Sequence, residues 1–159
     1  MKRLNRSLAR VLMTAMVAGV VAAAVGGVSL ARAGSGDRTM TLTEVQTGAR
    51  FVSITHTPQG GPGDQVILHS VVKNAAGNRV GTLNVVCEVV LSHKLLCNGI
   101  YRLPGGTITG TAQDTQDESS TAPVHIAITG GTGRYDQAKG QITSTSTGDT
   151  TTQSVVDLD

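Results

Sequence analysis

Leu83-Asn84-Val85-Val86-Cys87-Glu88-Val89-Val90-Leu91 and Leu95-Leu96-Cys97-Asn98-Gly99-Ile100-Tyr101-Arg102-Leu103 are two arms of one pattern. On the first arm Leu83, Val85, Cys87, Val89 and Leu91 alternate with more polar neighbours, the period of a half-buried strand. On the second, Leu95, Cys97, Gly99, Tyr101 and Leu103 share one face. A turn centred on Ser92-His93-Lys94 sets Cys97 opposite Cys87, Val89 opposite Leu95 and Leu83 opposite Tyr101. Apolar positions and cysteines thus select the same register, which a slip of one residue would destroy. Directly opposed positions bring β-carbons within disulfide range. Closing so short a loop contributes about 2–3 kcal/mol. The alternative for the pair is a free nucleophilic thiol.

Outward from this hairpin, β-branched residues recur in short runs separated by Gly, Pro, Asn and Asp, and no amphipathic helix interrupts them. The expected strands are 39–46, 50–57, 65–73, 79–91, 95–103, 106–112, 122–129, 140–147 and 151–158. Thr57 to Asp64 reads as a surface loop at the rim of a pocket, Asn74 to Asn78 and Pro104-Gly105-Gly106 as hairpin turns, and Gln113 to Ser120 as a solvated loop. Eight or nine antiparallel strands without helices leave a two-sheet sandwich and a closed barrel both open.

The chain of 159 residues has room for one domain. Its net charge of +2 is misleading, because residues 1–33 hold five of the 13 Lys and Arg and no acid, leaving eight bases against 11 acids, a net of −3, in the remainder. That remainder has no basic stripe with interleaved aromatics, which argues against nucleic acid as a partner. Residues 1–33 read as a secretory signal: Lys2, Arg3, Arg6 and Arg10, an apolar run from Val11 to Leu30, then Ala31-Arg32-Ala33 as a small-x-small cleavage site. Cleavage after Ala33 is expected, giving a secreted domain over 34–159 with no membrane attachment. An uncleaved anchor is the rival reading, since the run is long enough to span a bilayer. Export also fits a disulfide between Cys87 and Cys97.

Catalytic patterns are scarce in the sequence. Gly130-Gly131-Thr132-Gly133-Arg134-Tyr135 lacks the Lys-Ser/Thr of a phosphate loop and the helix start of a dinucleotide fingerprint, so its glycines are read as a compact turn. His56, His69, His93 and His125 have no metal-site spacing, no residue pattern calls for a metal or a cofactor, and no Gly-x-Ser-x-Gly elbow is present. Asp117 and Glu118 are neighbours in a polar loop, not an acid/base pair across a substrate.

The string Ala127-Ile128-Thr129-Gly130-Gly131-Thr132-Gly133-Arg134-Tyr135-Asp136-Gln137-Ala138-Lys139-Gly140 resembles a signature of the allene oxide cyclase and dirigent-type barrel family, in particular its small exported bacterial members. Gly63-Asp64, Arg79-Val80-Gly81 with Cys87, and Leu103-Pro104-Gly105-Gly106-Thr107-Ile108 fall in the order that family leads one to expect, over residues 50–147. The resemblance implies an all-β, eight-stranded antiparallel β-barrel of calycin type, with an apolar cavity at one end and Gly130, Gly131, Gly133, Tyr135 and Gly140 as a structural turn motif. Relatives of this kind cyclise an unstable epoxide, steer phenol coupling or fold polyenes for ring closure, so an isomerase or cyclase acting on a small apolar ligand is the implied activity. The plant cyclases carry a carboxylate and an amide on an early strand, whereas the corresponding Phe51-Val52-Ser53-Ile54-Thr55-His56 offers hydroxyls and one His. Dirigent-like members often have Arg at the position of Lys139. Tyr101, on the inward face, and His56, at the rim, are the expected ligand-binding residues, with no catalytic residue assigned. The alternative is a non-catalytic secreted carrier or cell-envelope barrel. Relatives form dimers or trimers, which implies a homo-oligomer.

Overall fold

The computed structural model describes residues 38–57, 60–91, 94–115 and 122–159. The expected leader, the turn residues Ser92 and His93, and the acids Asp117 and Glu118 lie outside the described residues. Eight strands run in chain order: β1 (Arg38–Val52), β2 (Gln65–Asn74), β3 (Arg79–Leu91), β4 (Lys94–Leu103), β5 (Gly106–Thr115), β6 (Val124–Gly133), β7 (Gly140–Gly148) and β8 (Thr151–Leu158). Each pairs antiparallel with its neighbours, and β8 returns to β1, closing a barrel. This is the eight-stranded antiparallel barrel implied by the resemblance, and no helix occurs among the described residues.

The β3–β4 hairpin has the expected register, with Cys87 opposite Cys97, Val89 opposite Leu95 and Leu83 opposite Tyr101. The two cysteines are bonded across a Cα separation of 4.0 Å. Leu91 departs from the expected alternation: a register shift between Val89 and Leu91 turns it outward at the tip, where it is exposed.

Two expectations are corrected. The strands expected at 39–46 and 50–57 are one strand, β1, which bends through a bulge between Gln46 and Gly48 and ends at Val52. A bulge inserts one residue without ending the ladder, so the break in alternation at Thr47-Gly48 marked a bend and not a turn. Likewise β6 does not stop at Thr129. Its glycines continue as strand to Gly133, paired with Gly106 to Thr109, and the turn is Arg134 to Lys139. Close backbone approach explains these glycines: a β-carbon on Gly131 would lie 2.5 Å from the Thr107 carbonyl oxygen, and one on Gly106 would lie 1.9 Å from that of Thr132.

One end of the barrel is filled. Leu42, Val72, Leu83, Leu103, Ile108, Ile142, Val156 and Leu158 form a buried cluster there, with Tyr135 folded under it from the β6–β7 turn. The hairpin turns at this end are tight. Pro104-Gly105 joins β4 to β5 with Gly105 at φ 90°, and Asn74 Oδ1 accepts hydrogen bonds from the Ala76 and Asn78 backbone. At the other end, inward positions keep contact with solvent. Phe51 pairs with Val66 and Val66 with Cys87, which places the Phe51 side chain on the inner face, yet it is 37% exposed. Val66, Leu68, Val85, Leu95 and Cys97, all inward by register, are half-buried. The barrel is thus a cup, packed below and open above.

Candidate functional site

The floor of the cup is a hydrogen bond across the barrel. Tyr101 on β4 donates its hydroxyl to Glu44 Oε1 on β1, three strands away in one direction and five in the other. The Tyr101 side chain therefore crosses the interior. Ser154 on β8 and Ser144 on β7, joined at 2.7 Å, complete the cluster from the far wall. Tyr101 is 3% exposed and Glu44 7%. Below this bar lies the apolar cluster, and above it the open cup.

Alternation places these groups. Met40, Leu42 and Glu44 step along β1 at a period of two, so Glu44 takes an inward position next in line to two apolar ones. Ser144 pairs with Ser154 on adjacent strands, and Ser154 pairs with Leu42, so their hydroxyls point into the same space.

Burial costs a carboxylate more than a carboxylic acid, so desolvation raises the Glu44 pKa above its ordinary value, against the opposing hydrogen bonds of Ser154 and Tyr101. Desolvation, then the charge of Glu44 and the hydrogen bond to it, drive the Tyr101 hydroxyl far above its ordinary range. Tyr101 consequently stays protonated and acts as a donor, while Glu44 is biased toward holding a proton. A carboxyl able to give or take a proton, beside a fixed phenol donor, can serve acid/base chemistry on a molecule above it.

The rim is built around a second carboxylate. Asp64, fully buried, accepts hydrogen bonds from the backbone N–H of Ile54 (2.6 Å), Thr55 (2.9 Å) and Gly61 (3.0 Å) and from the hydroxyls of Thr55 (2.8 Å) and Ser53 (3.2 Å). Burial alone would raise its pKa; these donors outweigh burial and hold it well below the ordinary carboxylate range. Its backbone carbonyl accepts from Val89 N–H (2.9 Å), and Gly63 N–H donates to Val89 carbonyl (2.7 Å). Asp64 thereby folds the β1–β2 loop against β3 at the mouth. Its carboxylate is saturated, which suits a structural tie and leaves no free valence for chemistry.

Of the residues expected to bind ligand, Tyr101 lies at the floor and His56 at the rim. His56 sits exposed at φ 57°, its backbone N–H donating to Ser53 Oγ at 3.1 Å. His69 and His125 point outward, paired with Asn84 (2.6 Å) and Gln141 (3.2 Å). No group of three or more His, Cys, Asp or Glu able to hold a metal ion occurs among the described residues. Glu44, Ser144 and Ser154 were not singled out by the sequence, although the alternation of Met40, Leu42 and Glu44 was the signal that marks Glu44 as inward. Phe51 joins Tyr101 on the inner face, where the sequence placed Tyr101 alone.

No protein-family model and no curated protein sequence matches the chain. Solved structures do. The fold is similar to that of a pyocyanin demethylase (TM-score 0.65, 23% identity, 76% of this chain and 99% of that one). It is similar also to a Diels-Alderase from Streptomyces koyangensis (TM-score 0.62, 18% identity, 77% of this chain and 63% of that one). A third is a pterocarpan synthase dirigent protein (TM-score 0.58, 16% identity, 77% of this chain and 93% of that one). At such identities the likeness is one of fold: this chain has the closed barrel of cyclase and dirigent proteins.

Proposed function

We propose that the barrel binds a small, largely apolar molecule in its open half and orients it over the Glu44–Tyr101 bar for isomerisation or cyclisation. The observation that carries this reading is the buried carboxyl and phenol bridging the lumen directly beneath inward side chains that remain open to solvent. Holding a reactive molecule in one conformer against an apolar wall lowers its barrier through orientation, with few charged groups required. In this site Glu44 supplies or accepts the proton and Tyr101 fixes the carboxyl. The similar folds of a Diels-Alderase and a dirigent protein support the reading.

A second reading, a non-catalytic carrier or envelope barrel, draws on the completeness of the bar. No buried side-chain nitrogen or oxygen among the described residues lacks a hydrogen-bond partner, as a structural tie requires. In either case we place the protein outside the cell, with residues 1–33 removed. The charge and apolar pattern of that segment and the disulfide support export.

Native mass spectrometry of the protein recovered from the medium of its producing cells tests both. A polypeptide beginning at Gly34 and carrying an apolar passenger, lost in Gly99→Leu, supports the cup. A chain that retains residues 1–33 refutes export, and the same passenger in Gly99→Leu refutes the cup as its site. Conversion of the passenger by the wild type but not by Glu44→Gln separates enzyme from carrier.

A further inference from the structure

The two walls of the cup differ in chemistry. Above Tyr101, the β2–β5 side presents Leu68, Val85, Gly99, Ala112 and the Cys87–Cys97 disulfide. Gly99, beside Tyr101 on the inner face, leaves the wall flat there, with nothing nearer than 3.6 Å to where a β-carbon would stand. The β8–β1–β2 side presents Thr152, Gln46 and Ser70. Thr152 pairs with Glu44, and Gln46 with Ser70, so the three surround the carboxyl end of the bar. None of the three side chains makes a hydrogen bond within the described residues and none holds a fully buried polar atom without a partner; Thr152 and Gln46 are half-buried and Ser70 is buried between them and the apolar floor. Among the described residues no Lys or Arg takes an inward position above the bar; the acid Asp114, opposite Leu95, is inward at the mouth, above the apolar stretch of that wall.

Resting on the reading of the cup as a ligand site, we infer that it selects flat, uncharged ring systems with two hydrogen-bonding oxygens along one edge, held by Thr152 and Gln46. Thr152 opposes Glu44, and Gln46 is two residues beyond Glu44, a diagonal relation that separates the two by about 7–8 Å. The depth agrees with a molecule of two or three fused rings: the six steps from Leu83 to Val89 rise roughly 20 Å along the strand, or roughly 15 Å along the axis of a tilted barrel. The ring faces lie against Val85, Gly99 and the disulfide while the oxygens meet the polar ledge. A molecule with oxygens on opposite edges must set one of them against the apolar wall, where it loses its hydrogen bond with water and gains none.

Two isomeric probes read this directly. In 2,7-dihydroxynaphthalene both hydroxyls lie toward one long edge at a separation similar to that of Thr152 and Gln46, whereas in 2,6-dihydroxynaphthalene they lie toward opposite edges. Fluorescence titration of the disulfide-intact protein should show about fivefold tighter binding of the 2,7 isomer, the worth of one net hydrogen bond. The double substitution Thr152→Val/Gln46→Leu should erase that preference, weakening the 2,7 isomer, which loses two hydrogen bonds, about 25-fold and the 2,6 isomer, which loses one, about fivefold, and Gly99→Leu should abolish binding of both. Circular dichroism and thermal unfolding confirm that each variant is folded, and Thr152→Val alone, nearly isosteric, replaces the double variant if that one is not. Equal affinities in the wild type, or a preference that survives removal of the ledge, overturn the one-edge inference and leave the cup standing. Absence of binding by either isomer, or binding undisturbed by Gly99→Leu, overturns the cup together with the inference.

Discussion

The bar between Glu44 and Tyr101 makes a prediction that does not depend on any ligand. Tyr101→Phe deletes one oxygen, leaves the ring packed on Leu83 and Ile108, and takes from Glu44 the donor that crosses the barrel. A hydrogen bond to a charged or strongly polar buried group is worth about 1.5–3 kcal/mol, and leaving its partner unsatisfied adds to the loss. The expected destabilisation is therefore about 2 kcal/mol, or roughly 8 °C in the melting midpoint of a domain this small. Glu44→Gln keeps shape and accepting oxygen but removes the charge. Because burial holds the Glu44 pKa above its unfolded value, the protein is most stable, as far as this group is concerned, below the ordinary carboxylate pKa, and loses stability as pH rises through the raised value. Each unit of that elevation costs about 1.4 kcal/mol once the pH exceeds it. Wild type should thus weaken relative to Glu44→Gln between acid and neutral pH, and Tyr101→Phe should weaken more steeply still, since it removes a donor that favours the carboxylate. Thermal unfolding of the two single variants and the double variant, followed by circular dichroism from pH 4 to 8, reads both effects. A coupling energy above about 1 kcal/mol at neutral pH is expected. Additive single effects, or a wild-type stability that rises relative to Glu44→Gln over that range, would refute the bar as a buried, proton-linked tie.

Other parts of the barrel carry predictions of their own. Replacing Cys87 and Cys97 together by Ala should lower unfolding free energy by about 2–3 kcal/mol in urea titration, the loop-closure value for a short bridge. Asp64 titrates with the opposite sign to Glu44: its pKa is depressed in the folded state, so its contribution is complete above the ordinary aspartate value and disappears as pH falls below it. Asp64→Asn should accordingly flatten the acid limb of the stability profile below about pH 4, and raise hydrogen exchange at Ile54, Thr55 and Gly61, whose amides it accepts. Gly131→Ala, which would press a methyl group against the carbonyl oxygens of Thr107 and Tyr135 at 2.5 and 2.3 Å, should cost more than about 3 kcal/mol, whereas Gly77→Ala, with nothing within 4 Å, should cost only the strain of its positive φ, about 1 kcal/mol.

How much of this was legible in the residues follows from how each feature is encoded. The β3–β4 hairpin was readable to the residue because two independent signals, apolar alternation and paired cysteines, demanded one register. Closure into a barrel was not readable from alternation, since a sandwich has the same period; the ordered glycine strings supplied it by resemblance, and the close carbonyl contacts of Gly106 and Gly131 give those strings their physical meaning. Bulges hid the rest. Between Gln46 and Gly48 the side-chain faces exchange, so Phe51, which looks out of phase with Leu42 and Glu44, returns to the interior. Glu44 itself was passed over because a lone acid in a strand ordinarily faces water, and nothing near it in sequence resembles a catalytic pair. Its partners, Tyr101, Ser144 and Ser154, lie at least 57 residues away and meet it only because the barrel closes. A site assembled from single inward residues on four strands leaves no motif behind. What it does leave is a polar residue in phase with an apolar row, as Glu44 is with Met40 and Leu42. In a closed barrel that phase identifies a lumen group more reliably than any local spacing, because the wall admits only two directions for a side chain and the apolar neighbours reveal which one is inside.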